Sequence, residues 1–525
     1  MVKRKRNDPS KEEKSTASPA KTVKSAPTPS QVPDAAVTIQ VVTGSYERVL
    51  HGFTAGFPAS SLTSNDADAS IQCVDTFLFE AHESAIRCLA LSPLPKATDS
   101  PDAQKVFMAS GSTDERIQLY SLSAAPPAVT DEYPSIPTLA GNKILENPKN
   151  RELGSLLHHT ASITALNFPS RSKLLAAAED NTISVSKTRD WTVVSSIKAP
   201  RPKTQGRPSG DTAPEGAAPS GVNDFAVHPS MKLMLSVGKG EKCMRLWNLV
   251  TGRKAGVLNF GREILQSVKE GKWSSGEGRR LAWNAAGEEF AVAFEWGVVV
   301  FGVVSCWISF DSSDFGFRSR MLTMIPGTQD STPKCRLLPS PRSKVHQMKY
   351  VSLPSDGEEQ KDDLLAISTE DGRVIFYSTT ALQDPEEGDE STIPHATQVA
   401  QVGGKQAGFP GRIKDFEVLS LEEQGNEFRN DFVLLTANSD GVVRFWKVNG
   451  QDLALEKQDK AKKGSKESKD STRQTGNLLT TYETGNRITC LAAFIMLPAE
   501  DPSTLFASED ESEEEQEESS EDDDE

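Results

Sequence analysis

The stretch SGSTDERIQLY at 110–120 sets an acidic residue, Asp114, six positions before an aromatic one, Tyr120. A tight turn between them gives way to alternating apolar positions, the pattern of a turn feeding a half-buried strand. The phrase returns as STEDGRVIFY at 368–377, with Asp371 and Tyr377, and as ANSDGVVRFW at 437–446, with Asp440 and Trp446. Four further pairs keep the interval: Glu47/Phe53, Asp180/Ser186, Glu241/Trp247 and Glu295/Phe301. Ser186 alone breaks the aromatic rule. An Asp at such a turn caps backbone N–H groups, and the Gly after Asp371 and Asp440 tolerates left-handed geometry. The aromatic is expected to close the third strand of its unit and pack between neighbouring sheets.

Seven units fit a closed ring. Short β-like runs fill the chain between the pairs, among them Ile86–Ala90, Val106–Ala109, Ile163–Phe168 and Leu174–Ala177. Amphipathic helical patterns of about twelve or more residues are scarce, so an alternating βα fold is not expected. Aromatic-to-aromatic spacing runs from 54 to 76 residues, above the 40–45 usual for four-stranded repeats. Polar insertions account for the excess, and loops absorb such lengths at modest entropic cost. The ends complement each other. Thr38–Ser45, Val49–Phe53 and Cys73–Phe79 supply three strands before the first complete unit, and Arg487–Phe494 supplies a lone strand at the far end. Together they predict one blade built from both termini, which removes exposed sheet edges. Two histidines keep the register: His82 in HESAIRCL and His159 in HTASITAL each stand four residues before an isoleucine. His82 is expected to bond Asp114, and His159 to bond Asp180. His158 and His159, read as adjacent strand residues, are expected on opposite faces, one structural and one exposed.

Charge is unevenly placed. The 525 residues carry a formal net charge of −16. Residues 509–525 hold 13 Asp/Glu and no Lys/Arg, leaving −3 on the remainder. The reading is a disordered basic arm over 1–34, a propeller over 35–496 and a disordered acidic tail over 497–525. Disordered insertions are expected near 198–221, 383–392 and 456–476, and shorter polar ones at 95–103 and 352–361. Lys3, Arg4, Lys5 and Arg6 suit nuclear import or phosphate contact. The segment 457–473, net +4, is a second cationic patch, and RNA contact through either would be sequence-independent and salt-sensitive. Ser508, Ser512, Ser519 and Ser520 sit amid acids and suit an acid-directed kinase.

Several function classes find no footing. No run approaches the ~20 apolar residues of a membrane span, and the first residues lead into no signal-like segment. Six cysteines without C-x-x-C spacing fit buried thiols in a reducing compartment. There is no Walker loop, dinucleotide fingerprint, H-E-x-x-H or G-x-S-x-G. We therefore expect no catalytic residues, no cofactor and no metal, and look to surfaces for function.

The repeats resemble WD-repeat β-propellers. More narrowly, AHESAIRCLALSP (81–93), KVFMASGSTDERIQLYSL (105–122), LLHHTASITALNFP (156–169) and above all VNDFAVHPSMKLMLSVGKGEKCMRLWNLVTGRKAG (222–256) resemble one family. It comprises the p21-activated-kinase-interacting protein and its fungal relatives in large (60S) ribosomal subunit assembly. The resemblance covers most of residues 38–496 and implies an all-β, seven-bladed propeller. It also implies a non-catalytic nucleolar scaffold on pre-60S particles and their assembly factors, needed for ribosomal RNA maturation. Two alternatives stay open: an adaptor that binds and restrains a p21-activated kinase, and a propeller that meets histones through its acidic tail.

Overall fold

The computed structural model describes residues 37–63, 71–95, 104–126, 136–137, 143–201, 220–271, 274–303, 333–353, 363–385, 391–422, 428, 430–454 and 473–498. The expected basic arm, nearly all of the acidic tail, half of the 383–392 insertion and most of each other insertion lie outside them. The described residues form seven four-stranded antiparallel blades. Blade 2 shows the plan: Ile86–Leu91 innermost, then Lys105–Ser112, Ile117–Ser123 and, outermost, Arg151–Leu156. Blades 3 to 7 begin at inner strands Ile163–Ser170, Val222–Val227, Arg280–Trp283, Val345–Ser352 and Ile413–Ser420. The outer strands of blades 5 and 6 also meet in a parallel pairing, Arg336 with His395, so these two blades share one continuous sheet.

The ring closes through the chain ends. Ile488–Ile495 is the inner strand of blade 1, antiparallel to Val37–Ser45, with Ile39 opposite Ile495 and Thr43 opposite Leu491. Val49–Phe57 and Gln72–Glu80 complete that blade. Each inner strand touches the next around the circle, including the last step from blade 7 to blade 1. This is the closure expected from the sequence.

Seven apolar clusters fill the seven seams, because each blade presents one apolar face to each neighbour. Trp247 packs with Leu175, Ala177 and Ile183 of blade 3. Trp446 packs with Leu364, Val374 and Phe376 of blade 6. Tyr120 meets Val42 and Leu50 of blade 1, and Tyr377 meets Val298 and Val300 of blade 5. Phe53 and Phe301 enter the seams with blades 7 and 4. The seam between blades 2 and 3 lacks its aromatic, since position 186 is a buried serine. Trp191, from the next turn, packs there instead and meets Phe107 edge-on, ring centroids 5.6 Å apart. Trp191 holds φ +54 to do so, a conformation that a bulky side chain rarely adopts.

Candidate functional site

Strands alternate direction within a blade, so the turns between second and third strands lie at the same end of the ring as the starts of the inner strands. All seven acidic turn residues therefore share one face, and each has a partner there. His82 Nδ1 lies 3.0 Å from Asp114 Oδ2, and its Nε2 lies 2.8 Å from Ser110 Oγ. Asp114 also accepts the backbone N–H of Glu83 and of Arg116, at 3.1 and 3.0 Å. In blade 3, His159 Nδ1 lies 3.1 Å from Asp180 Oδ2 and Nε2 lies 2.9 Å from Ser184 Oγ. Burial alone would raise Asp180, but hydrogen bonds from His159 and Thr182 outweigh it and hold the carboxyl well below the usual range.

His158 differs from expectation. Residues 157–159 form a loop rather than a strand, so strand alternation does not separate the two side chains. His158 Nε2 reaches the same Ser184 Oγ at 2.7 Å, and the two rings stand 4.4 Å apart. Burial, then the neighbouring His159, lowers His158 to about 4.

Where a blade lacks the histidine, another group serves the acid. Arg245 makes a bidentate pair with Glu241 in blade 4. Arg373 Nε donates to Asp371 at 2.8 Å in blade 6, while its Nη2 holds the Pro341 carbonyl at 2.8 Å. Glu47 accepts the backbone N–H of Arg487 at 2.9 Å, which ties blade 1 to the entry of its closing strand. Glu295 pairs with Arg279 and Lys344 at 3.1 and 2.8 Å. Asp440 accepts the Val442 N–H at 3.4 Å, and the following Gly441 holds φ +90. The turn acid thus keeps one duty across blades while its cationic or N–H partner changes.

The tryptophans carry polar anchors as well as bulk. Trp247 Nε1 donates to Ser236 Oγ at 2.7 Å, and Trp446 Nε1 to Thr436 Oγ1 at 3.3 Å.

Sequence reasoning missed a cluster at the closing seam. His51 Nε2 lies 2.7 Å from Asp75 Oδ1 within blade 1, and the Tyr482 hydroxyl of blade 7 donates to the same oxygen. Tyr482 also stacks on Phe53, centroids 4.1 Å apart. Tyr482 follows Asp75 by more than 400 positions, so no local pattern signals the contact.

Nothing in this geometry assembles reacting groups. Among the described residues no three His, Cys, Asp or Glu side chains converge as a metal site, and no helix is long and apolar enough to cross a membrane. A cavity of about 160 Å³ lined by Lys447, Asn449, Asp452, Gly476 and Asn477 falls below the ~300 Å³ of ordinary small-molecule sites.

Comparison with known proteins follows the same lines. The WD domain, G-beta repeat model matches residues 71–121 and 150–185. Each match begins at or just before the outer strand of one blade and ends in the third strand of the next, so the sequence repeat straddles two blades. A p21-activated protein kinase-interacting protein 1-like from Danio rerio is 25% identical over 477 residues, covering 90% of this chain and 86% of the relative. Protein MAK11 of Saccharomyces cerevisiae is 26% identical over 431 residues, 79% of this chain and 78% of its own. A crystal structure of Chaetomium thermophilum Sqt1 bound to the N-terminus of ribosomal protein L10 overlaps 79% of this chain and 85% of that one, with 14% identity and a TM-score of 0.40.

Proposed function

From a WD-repeat protein related along most of its length to the p21-activated-kinase-interacting proteins and to yeast Protein MAK11, we propose a non-catalytic scaffold in large (60S) ribosomal subunit assembly. It docks on pre-60S particles and their assembly factors, supports pre-rRNA maturation, and resides in the nucleus and nucleolus. The observation that carries this reading is the 222–256 segment. It supplies all of blade 4 except the end of its outer strand, and its HPS and RLWNLVTGR phrases go beyond what the repeat alone requires. His228 shows why: its Nδ1 bonds Ser230 at 2.8 Å, and its Nε2 lies 3.0 Å from the Gly287 carbonyl of blade 5. A closed ring whose blade faces are fixed by such contacts suits docking rather than turnover.

The turn acids and their partners, with Tyr120, Trp247, Tyr377 and Trp446 beneath them, are in this reading a rigid frame for the docking face. The basic arm (Lys3, Arg4, Lys5, Arg6) and the acidic tail tune encounter, the tail deepened in charge by phosphorylation at Ser508, Ser512, Ser519 and Ser520. A second reading has support in the relatives' names: the zebrafish protein is named for interaction with a p21-activated kinase, and a Schizosaccharomyces pombe relative, 27% identical over 221 residues, is Shk1 kinase-binding protein 15. Affinity purification of the tagged full chain at moderate salt separates the readings. Large-subunit precursor RNA and assembly factors are expected. Recovery of a p21-activated kinase or of histones without them would overturn the scaffold reading.

A further inference from the structure

Six of the seven inner strands carry a bulge one residue after they begin, read from the skipped residue in each register. A bulge re-aims its side chain and sharpens the twist. Here the extra residues, Thr489, Arg87, Thr164, Asn223, His346 and Lys414, ring the axial mouth on the face of the turn acids.

Four of the six stitch one blade to the next. Thr489 Oγ1 donates to the Ile86 carbonyl and Thr164 Oγ1 to the Val222 carbonyl, both at 2.6 Å. Asn223 Nδ2 donates to the Gly278 carbonyl at 3.0 Å, and Arg87 pairs with Glu179 at 3.0 Å. His346 and Lys414 do neither. Lys414 makes no ion pair among the described residues, and His346 Nε2 is enclosed without a hydrogen-bond partner.

Their surroundings are cationic. Arg412, Arg487, Arg279 and Lys344 stand about the same sector of the mouth, from blade 5 round to blade 1. Four carboxylates oppose them: Glu295 is shared by Arg279 and Lys344, Glu370 pairs with Arg412 at 3.0 Å, Glu47 accepts the Arg487 backbone N–H at 2.9 Å, and Asp440 accepts the Val442 N–H of its own turn. With Arg342 beside Trp296, six cations face these four carboxylates, Asp371 being taken up by Arg373, and the surplus centres on the unpaired Lys414. Burial, then Arg412 and Arg487, holds Lys414 below the usual lysine value, a cost that a bound carboxylate relieves.

We propose that this sector of the axial mouth docks an acidic peptide run, a cluster of Asp and Glu on a protein partner, with Lys414 and His346 at its centre. The fit favours carboxylates over polynucleotide. Single-strand binders add free aromatic faces for base stacking, whereas here Trp296 lies under Arg342 at 4.2 Å and near Lys344 at 5.4 Å, and Tyr46 lies under Arg487 at 5.5 Å. Cations separated by Glu370 and Glu295 suit side chains that project from a peptide better than an evenly charged backbone. The inference deepens the docking reading by naming its partner's chemistry.

The test is polarisation of fluorescein-labelled decaglutamate with the full chain at low salt, beside labelled decauridine. Lys414→Glu and Arg487→Glu are each expected to weaken decaglutamate at least tenfold, with melting unchanged. Lys187→Glu, on an exposed strand end of blade 3, is expected to leave it unchanged. Residues 509–525 are themselves such a run, so carbodiimide coupling of the full chain is read in parallel. A Lys414 amide to that segment identifies the chain's own tail as an occupant of the same chemistry. Decaglutamate binding indifferent to both reversals, decauridine binding that alone responds to them, or no binding together with no Lys414 coupling overturns the proposal. Because these readouts use purified protein, their failure leaves particle association, measured by purification, untouched.

Discussion

His82 and Asp114 are bound across 32 residues of sequence by a 3.0 Å contact that also fixes the imidazole tautomer. The carboxylate accepts from Nδ1–H, so Nε2 is left to accept from the Ser110 hydroxyl. Asp114 gathers three donors in all, two of them backbone N–H groups. Asp114→Ala strands those donors, and a loss of about 1–3 kcal/mol is expected. Asp180→Ala, with the same arrangement in blade 3, is expected to cost a similar amount. Urea unfolding of each variant checks this, and wild-type midpoints would show that the turn acids are not structural.

The interblade tryptophans are expected to matter more. Trp247→Ala and Trp446→Ala each empty a seam and strand a hydroxyl partner, at about 3–5 kcal/mol. Trp191→Ala tests the substitute aromatic of blade 3. Trp191 is only half-buried, so about 2–3 kcal/mol is expected, the lower part of the range for large-to-small changes. Thermal melts decide, and a Trp191→Ala protein as stable as the parent would show that the blade 2–3 seam closes without it.

Closure depends on the last strand. Truncation after Asn486 removes Ile488–Ile495 and exposes the edge of Val37–Ser45, an invitation to aggregation. Loss of soluble, cooperatively melting protein is expected. Tyr482→Phe is a gentler probe of the same seam, since it removes only the hydroxyl that bonds Asp75. A cost of about 1 kcal/mol is expected, read from the urea midpoint. A truncated chain that melts like the parent would refute closure through this strand.

Acid should loosen the fold before its carboxylates titrate. Burial lowers His82, and it lowers His158 and His346 to about 4, against roughly 6.5 in an unfolded chain. A lowered folded value means that the unfolded state takes up protons first. Stability is therefore full above pH 6.5 and falls as the pH drops toward 4. Asp180, held low by its hydrogen bonds, adds a further loss only below about pH 4. Melting temperatures from pH 8 to 4 are expected to decline chiefly below 6.5, and His346→Gln is expected to flatten the decline. A flat profile for the parent would remove the histidines from this account.

Much of the frame was legible because its devices are local. A turn acid and an aromatic six positions apart mark one hairpin, and seven of them count the blades. The 82/114 and 159/180 pairs were legible for a related reason: each joins the entry of an inner strand to a turn of the same unit. His158 was misread because its loop follows no strand alternation. The substitution of Trp191 for the absent aromatic at Ser186 was also hidden, since nothing in the turn TRDWT says which seam its ring enters.

By itself the sequence determined the repeated hairpin, the number of blades and the pairing of the first three strands with the last, since hydrogen bonding and apolar alternation along a strand fix those. Only the tertiary structure decided which residues meet across the seams between neighbouring blades, Asp75 with Tyr482 and Arg87 with Glu179, and which cations gather with Lys414 about a shared mouth. Such contacts arise from the curvature that closes the ring, which depends on the packing of all seven seams at once and leaves no period in the chain.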